Sequence, residues 1–404
     1  MIDASRSNAA APGESTGSLM PGALPPEAYA AALAGLPGMG PARLAALLEA
    51  RAPADAWEDL RRGTPAWSWP SLGVTLGSDR ERLLRGWHVS AKHIDLEALW
   101  QHIVEERIGV ALHGGAGYPA ALLDDVEPPV IVFQRGAPEV VSGPRVAIVG
   151  TRRCTAAGAG IAVELGRNLA AAGVAVVSGL ASGIDAASHR GALDARAAPP
   201  IGVVATGLDV VYPRSQRDLW ERVARSGVLM AEAPPGTAPE RWRFPARNRI
   251  IAALADIVVV VESHRTGGAL YTVDEADRRA TDVMVVPGSV RSPASAGTND
   301  LLAEGRPPVR DADDVLLALG LTSAARHDEI DPRHPAADED KPVLQAVGWQ
   351  PSSLDQIVLR TGLPLPRLVV ALDRLCDAGW LCRRGGWYER VASWRDHPVL
   401  EDQG

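Results

Sequence analysis

The sequence predicts an α/β fold built on a doubly wound parallel sheet, with a small all-α domain before it and a winged helix after it. Three observations carry this. First, apolar runs too short for helices recur at Arg145 to Val149, Val174 to Ser178, Ile201 to Ala205, Gly227 to Met230, Ile257 to Val261 and Val283 to Val286. Unbroken Val/Ile runs of this length read as strands buried on both faces. Second, helical stretches separate them, which is the βα alternation of a parallel sheet covered on both sides. Third, Gly150, Thr151 and Arg152 turn abruptly from the first run into an Ala/Gly-rich helix pattern reaching Ala172. The exposed N–H groups of such a helix start can hold a phosphate.

Ligands of these sheets bind beyond the carboxyl ends of the strands. Those ends carry Gly150 to Arg152, Ser178 to Asp185, Thr206 to Asp209, Ala231 to Ala233 and Glu262 to His264. The expected site is glycine-rich and polar.

Taken in order, residues 1–24 form a tail with too little apolar surface to offset ordering entropy. Residues 25–103 read as a helical domain. A helix pattern from Tyr29 to Ala34, the turn Leu36 to Gly40 and a second pattern from Pro41 to Ala50 resemble a helix-hairpin-helix module, in which glycines let backbone N–H groups approach a phosphate. A packing hairpin is the competing reading, because Arg43 is the one basic residue close by. The tryptophans between Trp57 and Trp100 are expected in the core.

The sheet domain is expected over residues 104–321, with Ile108 to His113 and Val130 to Phe133 as two extra strands at its edge. It closes on one helix pattern from Leu301 to Leu321 with Asp311, Asp313 and Asp314 at its start, where the helix dipole favours acids. Residues 322–340, polar and acidic, mark a linker. Residues 341–392 give three helix patterns and a hairpin about Gly385 and Gly386, the plan of a winged helix, and a short tail, 393–404, follows. Its third helix holds Arg367 and Arg374 against Asp373 and Asp377, which favours a structural or protein-binding role over sequence reading.

Composition bounds the function. A chain of 404 residues suggests two or three domains. No apolar run is long enough to span a bilayer, and Met1 to Pro21 lack the basic start and apolar core of a secretory signal, so a cytoplasmic address is expected. The cysteines, Cys154, Cys376 and Cys382, have no CxxC spacing and support neither a disulfide framework nor a zinc site. The net charge of −8 argues against a nucleic-acid partner unless charge is segregated. Lysine occurs only at Lys92 and Lys341, so nearly all positive charge is arginine, which suits planar contact with phosphate and stacking on bases.

Three stretches carry chemistry. Ser178, Gly179 and Gly183 lead to Asp185 and His189, which share a helix face; a helix cap with a hydrogen-bonded histidine weighs here against metal binding or acid–base work. Arg241 to Arg249 holds four arginines, Trp242, Phe244 and Asn248 directly before an apolar helix pattern from Ile250. Arginines beside aromatics suit phosphates and an unpaired base. Thr266, Gly267 and Gly268 follow the strand ending at Glu262 and again suit a phosphate on a helix N-terminus.

With these residues in view, the chain resembles the DNA-processing protein A (DprA, also called Smf) family. The resemblance rests on Ile148 to Arg152, Ser178 to Asp185 with His189, Gly207 to Pro213, Phe244 to Arg249, Gly268 to Thr272 and Val286 to Gly288, in that order. It implies an extended Rossmann-like fold that binds single-stranded DNA without hydrolysing nucleotide, needs no cofactor, delivers the strand to the recombinase RecA in natural transformation, and self-associates as a dimer through that domain.

The resemblance places DNA contacts at Arg152 and at Phe244 to Arg249. The site expected from the Gly150 turn and these three stretches is Gly150, Thr151, Arg152, Ser178, Gly179, Gly183, Arg243, Phe244, Arg247, Asn248, Arg249, Gly267 and Gly268, with Asn248 holding its loop by backbone hydrogen bonds. Two departures stand out. Gly267 and Gly268 replace the family's Ser-Gly, and the lysines that assist DNA binding in relatives are missing, with Arg214, Arg217 or Arg243 as substitutes. A competing enzyme reading, a nucleoside-monophosphate phosphoribohydrolase on a related fold, would use Glu275 beside the ribose.

Overall fold

A computed structural model describes residues 24–49, 51–64, 69–321, 335–348 and 351–391. The expected tails, apart from Leu24, and most of the linker therefore lie outside the described residues. The helical segment comprises α1 (Pro26–Ala34), α2 (Pro41–Leu48), α3 (Pro53–Arg62), α4 (Pro70–Leu76), α5 (Arg80–His93) and α6 (Leu96–Glu105). Proline starts each of the first four, where a missing N–H costs nothing.

The central domain follows as β1 (Gly109–Leu112), β2 (Ile131–Gly136), β3 (Arg145–Val149), α7 (Ala156–Ala171), β4 (Ala175–Ser178), α8 (Ile184–Ala195) and β5 (Ile201–Val204). It continues through α9 (Arg217–Ser226), β6 (Val228–Ala231), α10 (Arg243–Leu254), β7 (Ile257–Val260), α11 (Leu270–Arg278), β8 (Asp282–Val285), α12 (Ala296–Ala303) and α13 (Ala312–Ala318).

The eight strands form one sheet in the order β1-β2-β6-β5-β4-β3-β7-β8. Strands β3 to β8 are parallel, while β1 and β2 add antiparallel at the β6 edge, as expected. Alternate residues of one strand serve opposite cores. Val146 and Ile148 of β3 pack with α7, α8 and α13, whereas Ala147 and Val149 pack with α10 and α11. The order reverses between β3 and β7, and ligand crevices open at such a switch point.

The helical segment is not a freestanding bundle. One apolar cluster joins Leu33, Trp57 and Trp87 to Phe133 of β2, Leu229 of β6 and Trp220 of α9. Trp57, Trp69 and Trp87 are buried, as expected.

Two sequence expectations change. The single helix pattern from Leu301 to Leu321 is two helices: Leu301 belongs to α12, then Pro308 bridges to Val285 of β8 and breaks the run. The acids stand at the start of α13, where the Asp311 carboxylate accepts from the Asp313 and Asp314 amides. The winged helix holds α14 (Lys341–Val347), β9 (Ser352–Ser353), α15 (Leu354–Thr361), α16 (Leu365–Asp377), β10 (Leu381–Arg384) and β11 (Trp387–Arg390), so β9 is an unforeseen third strand, paired with β11. Gly385 and Gly386 turn the hairpin with φ of 56° and 84°, the left-handed pair that a two-residue loop demands.

Candidate nucleic-acid interface

A crevice of about 770 Å³ opens over the carboxyl ends of β3, β4 and β7. Gly150, Thr151, Arg152 and Arg153 form one wall, Arg241, Phe244, Arg247 and Asn248 another, and Thr266, Gly267 and Gly268 the far side. A narrower hollow of about 290 Å³ adjoins it, lined by Gly179, Thr206, Tyr212, Phe244 and Arg247 together with Arg152 and Arg153.

The lip is a stack. The Arg152 guanidinium lies 4.7 Å over the Phe244 ring, and the Tyr212 ring sits 5.5 Å from Phe244 at 48°. Arg152, Arg153, Tyr212 and Arg241 are exposed, so this edge presents arginines and aromatic faces to solvent together.

Below the lip, Arg247 is buried at 8% exposure. Its guanidinium donates to the Gly179 carbonyl at 2.9 Å and to the Val203 carbonyl, and its Nε donates to the Asn248 Oδ1 at 3.2 Å. Burial pushes Arg247 down to about 10, with the Asp185 carboxylate opposing that shift, so it stays charged at neutral pH. A Cβ on Gly179 would stand 2.4 Å from the Arg247 guanidinium; glycine there is what admits the arginine. Gly183, at φ 82°, lies where a Cβ would meet the Thr151 carbonyl at 2.3 Å, which lets the start of α8 close against the β3 turn.

Asp185 and His189 are structural. The Asp185 carboxylate accepts from the Gly179 amide at 3.1 Å, and burial raises its pKa against the pull of Arg247. His189 is fully buried, its ring nitrogens against the Asp185 and Ile201 carbonyls at 3.1 and 3.2 Å. Burial holds it down to about 4. Among the described residues no group of three His, Cys, Asp or Glu side chains could hold a metal.

The structure thus brings Gly150, Thr151, Arg152, Gly179, Phe244, Arg247, Asn248, Gly267 and Gly268 to one place and separates the remaining four. Ser178 is buried, donating to the Ile148 carbonyl at 2.6 Å, and Gly183 lies behind the turn. Arg243 faces a different groove, between the α1–α2 turn and Pro234, where it lies 4.4 Å over Trp242. Arg249 turns away into the protein, 5% exposed, donating to Glu232 and to the Glu127 carbonyl. The reason is helical. Phe244 to Arg249 is not a loop before a helix but the first turns of α10, and a two-residue step along a helix swings a side chain to the other flank. For the same reason Asn248 engages the Arg247 side chain rather than holding a loop backbone.

A second correction concerns the helix after β3. The N-terminus of α7 is not open for a phosphate, because the Glu262 carboxylate accepts from the Thr155 amide at 2.9 Å and from the Thr155 hydroxyl at 2.6 Å. Tyr212, Arg153 and Arg241 were missed as site residues. Tyr212 stands inside the Gly207 to Pro213 motif, and Arg153 and Arg241 flank chosen residues, so each was within reach of the sequence signal.

The family model of DNA recombination-mediator protein A matches residues 109–320, the whole sheet domain, and a DprA winged-helix model matches 327–375. The chain belongs to the DprA family. A DprA of Mycobacterium tuberculosis is 35% identical over 365 residues, covering 86% of this chain and 90% of that one. The X-ray structure of DprA from Streptococcus pneumoniae superposes with a TM-score of 0.59 at 29% identity, over 73% of this chain and 98% of that one. DNA processing protein A from Helicobacter pylori, described for its single-stranded DNA binding mode, matches at a TM-score of 0.48 and 26% identity, over 53% of this chain and 95% of that one. Among the described residues no helix is long and apolar enough to cross a membrane.

Proposed function

We propose that this DprA-family chain binds single-stranded DNA in the crevice, protects it, and loads the recombinase RecA onto it, acting as a homodimer through the sheet domain. A DNA-processing role goes with the family. The observation that carries the strand-binding reading is the gathering of Arg152, Arg153, Arg241 and Arg247 with Phe244 and Tyr212 on one crevice of a net-negative chain. Arginines neutralise phosphates while aromatic faces stack unpaired bases, a combination suited to single strands rather than duplex.

The proposed contacts are Arg152, Arg153, Arg241 and Arg247 with Phe244 and Tyr212. The Gly150–Thr151 and Gly267–Gly268 turns give the strand close approach to backbone. Ser178, Gly183 and Arg249 shape the site from behind. The RecA and dimer steps rest on the family resemblance. The enzyme reading loses its glutamate, because Glu275 is paired with Arg278 at 3.1 Å and with Arg279, outside the crevice lining.

A competition titration with a fluorescent single strand tests the reading. Unlabelled single strand should displace the probe at a concentration at least tenfold below that of a duplex of equal length; equal displacement by both would contradict it.

A further inference from the structure

In a sheet of this kind the N-terminus of the helix after the first parallel strand is where a mononucleotide or dinucleotide phosphate sits. Here that end is filled from within. Glu262 lies two residues beyond β7, the strand hydrogen-bonded to β3, and reaches across the Gly150 turn to α7. Its carboxylate takes the amide and hydroxyl hydrogens of Thr155, the N-cap residue, whose hydroxyl oxygen in turn accepts from the Gly158 amide at 3.0 Å. Its backbone carbonyl takes the Thr151 amide at 2.8 Å.

The fit is close. A Cβ on Gly158 would stand 2.3 Å from the Glu262 carboxyl carbon, so the carboxylate lies flush on the first turn of the helix, and Glu262 is only 6% exposed. Thr155 itself is exposed, so solvent reaches the helix end from the side that the carboxylate leaves open.

We propose that Glu262 is a specificity-determining residue: its carboxylate stands in for a nucleotide phosphate at the start of α7 and so excludes free phosphate and mononucleotides from the crevice. The Thr155 amide and hydroxyl are taken, and a second anion would be held against the first. The polynucleotide is left to bind at the lip, through the exposed Arg152, Arg153 and Arg241. Only this last clause rests on the strand-binding reading; the exclusion of mononucleotides stands without it.

The test titrates the full chain with inorganic phosphate and with AMP by calorimetry, for the parent, Glu262→Gln and Glu262→Ala. The parent should give no saturable heat with either ligand. Glu262→Ala, which uncovers the Thr155 amide and hydroxyl, should bind both at least roughly tenfold more tightly than the parent. Glu262→Gln, which keeps the side chain and removes its charge, should fall between. Saturable binding of AMP or phosphate by the parent would overturn the proposal without any variant. So would a folded Glu262→Ala that binds neither. If Glu262→Ala does not fold, Glu262→Gln decides, because binding no better than the parent then removes the exclusion by charge. Titrating a thymidine oligonucleotide into the parent in parallel reports on the strand-binding reading alone, since its failure leaves the phosphate result intact.

Discussion

At the scale of single residues, neighbours in one motif have opposite fates. Arg247 and Arg249 are both buried, yet Arg247 lines the crevice and Arg249 braces the protein behind it. Burial raises the pKa of Glu232, the partner of Arg249, and the arginine pulls it back. Arg249→Ala leaves that carboxylate buried and unpaired, and should cost about 3–5 kcal/mol of stability by urea denaturation. Its salt dependence of strand binding should stay that of the parent. A flattened slope with unchanged stability would return Arg249 to the phosphate contacts.

His189 offers a pH test. Its folded pKa is lowered to about 4 from an unfolded value of 6.5, so the folded chain keeps it neutral where the unfolded chain takes up a proton. The stability it contributes is complete above pH 6.5 and is lost as the pH falls toward 4. Denaturation should therefore show about 2 kcal/mol lost from this group between pH 7 and pH 5. His189→Gln should lose less over that interval by about the same amount; an equal loss would mean that His189 is not held neutral.

At the scale of elements, the sequence was legible wherever a pattern is local. Each parallel strand was readable because it is a short, mostly apolar run with at least three consecutive buried residues, which leaves little alternative, and the Gly385–Gly386 hairpin because its turn needs two left-handed residues. The beginning of α10 was not. Pro245 and the arginines around it lower helical expectation, and what holds them helical is tertiary: Arg247 against the β4 and β5 ends and Arg249 against Glu232 and Glu127. The filled N-terminus of α7 was equally hidden, since Thr155 and Glu262 are 107 residues apart and only the pairing of β3 with β7 joins them.

The winged helix belongs to this scale too. On α16, Arg374 is exposed but taken by Asp340 at 2.6 Å and Glu339 at 2.9 Å, which leaves Arg367 as the exposed arginine of that helix outside these ion pairs. A chain ending at Leu321 should keep its circular dichroism over the sheet domain and bind single strands within roughly twofold of the parent, because the proposed contacts all lie in the sheet domain and α16 adds one arginine free of those ion pairs. Loss of all strand binding in a folded truncate would place the site elsewhere.

At the scale of the molecule, the net charge of −8 and the arginine crevice are compatible because charge is segregated. Acids are spent on the helix starts, as at Asp311, and in ion pairs such as Asp125 with Arg279 at 2.7 Å, while the crevice lip keeps arginines exposed. The helical segment contributes by burying the edge of the sheet in a shared core, which fixes the strands whose ends carry the site.

The central claim is that this crevice holds the strand, and fluorescence anisotropy of a labelled single strand across a salt series tests it most directly. Each phosphate neutralised on a single strand contributes about 0.7 to the slope of log affinity against log salt. Arg152→Ala should weaken binding and flatten the slope by about that amount. Phe244→Ala should weaken it by about 1–3 kcal/mol with the slope kept, because stacking releases no counterions. If both variants bind like the parent at every salt concentration, the crevice is not the DNA site.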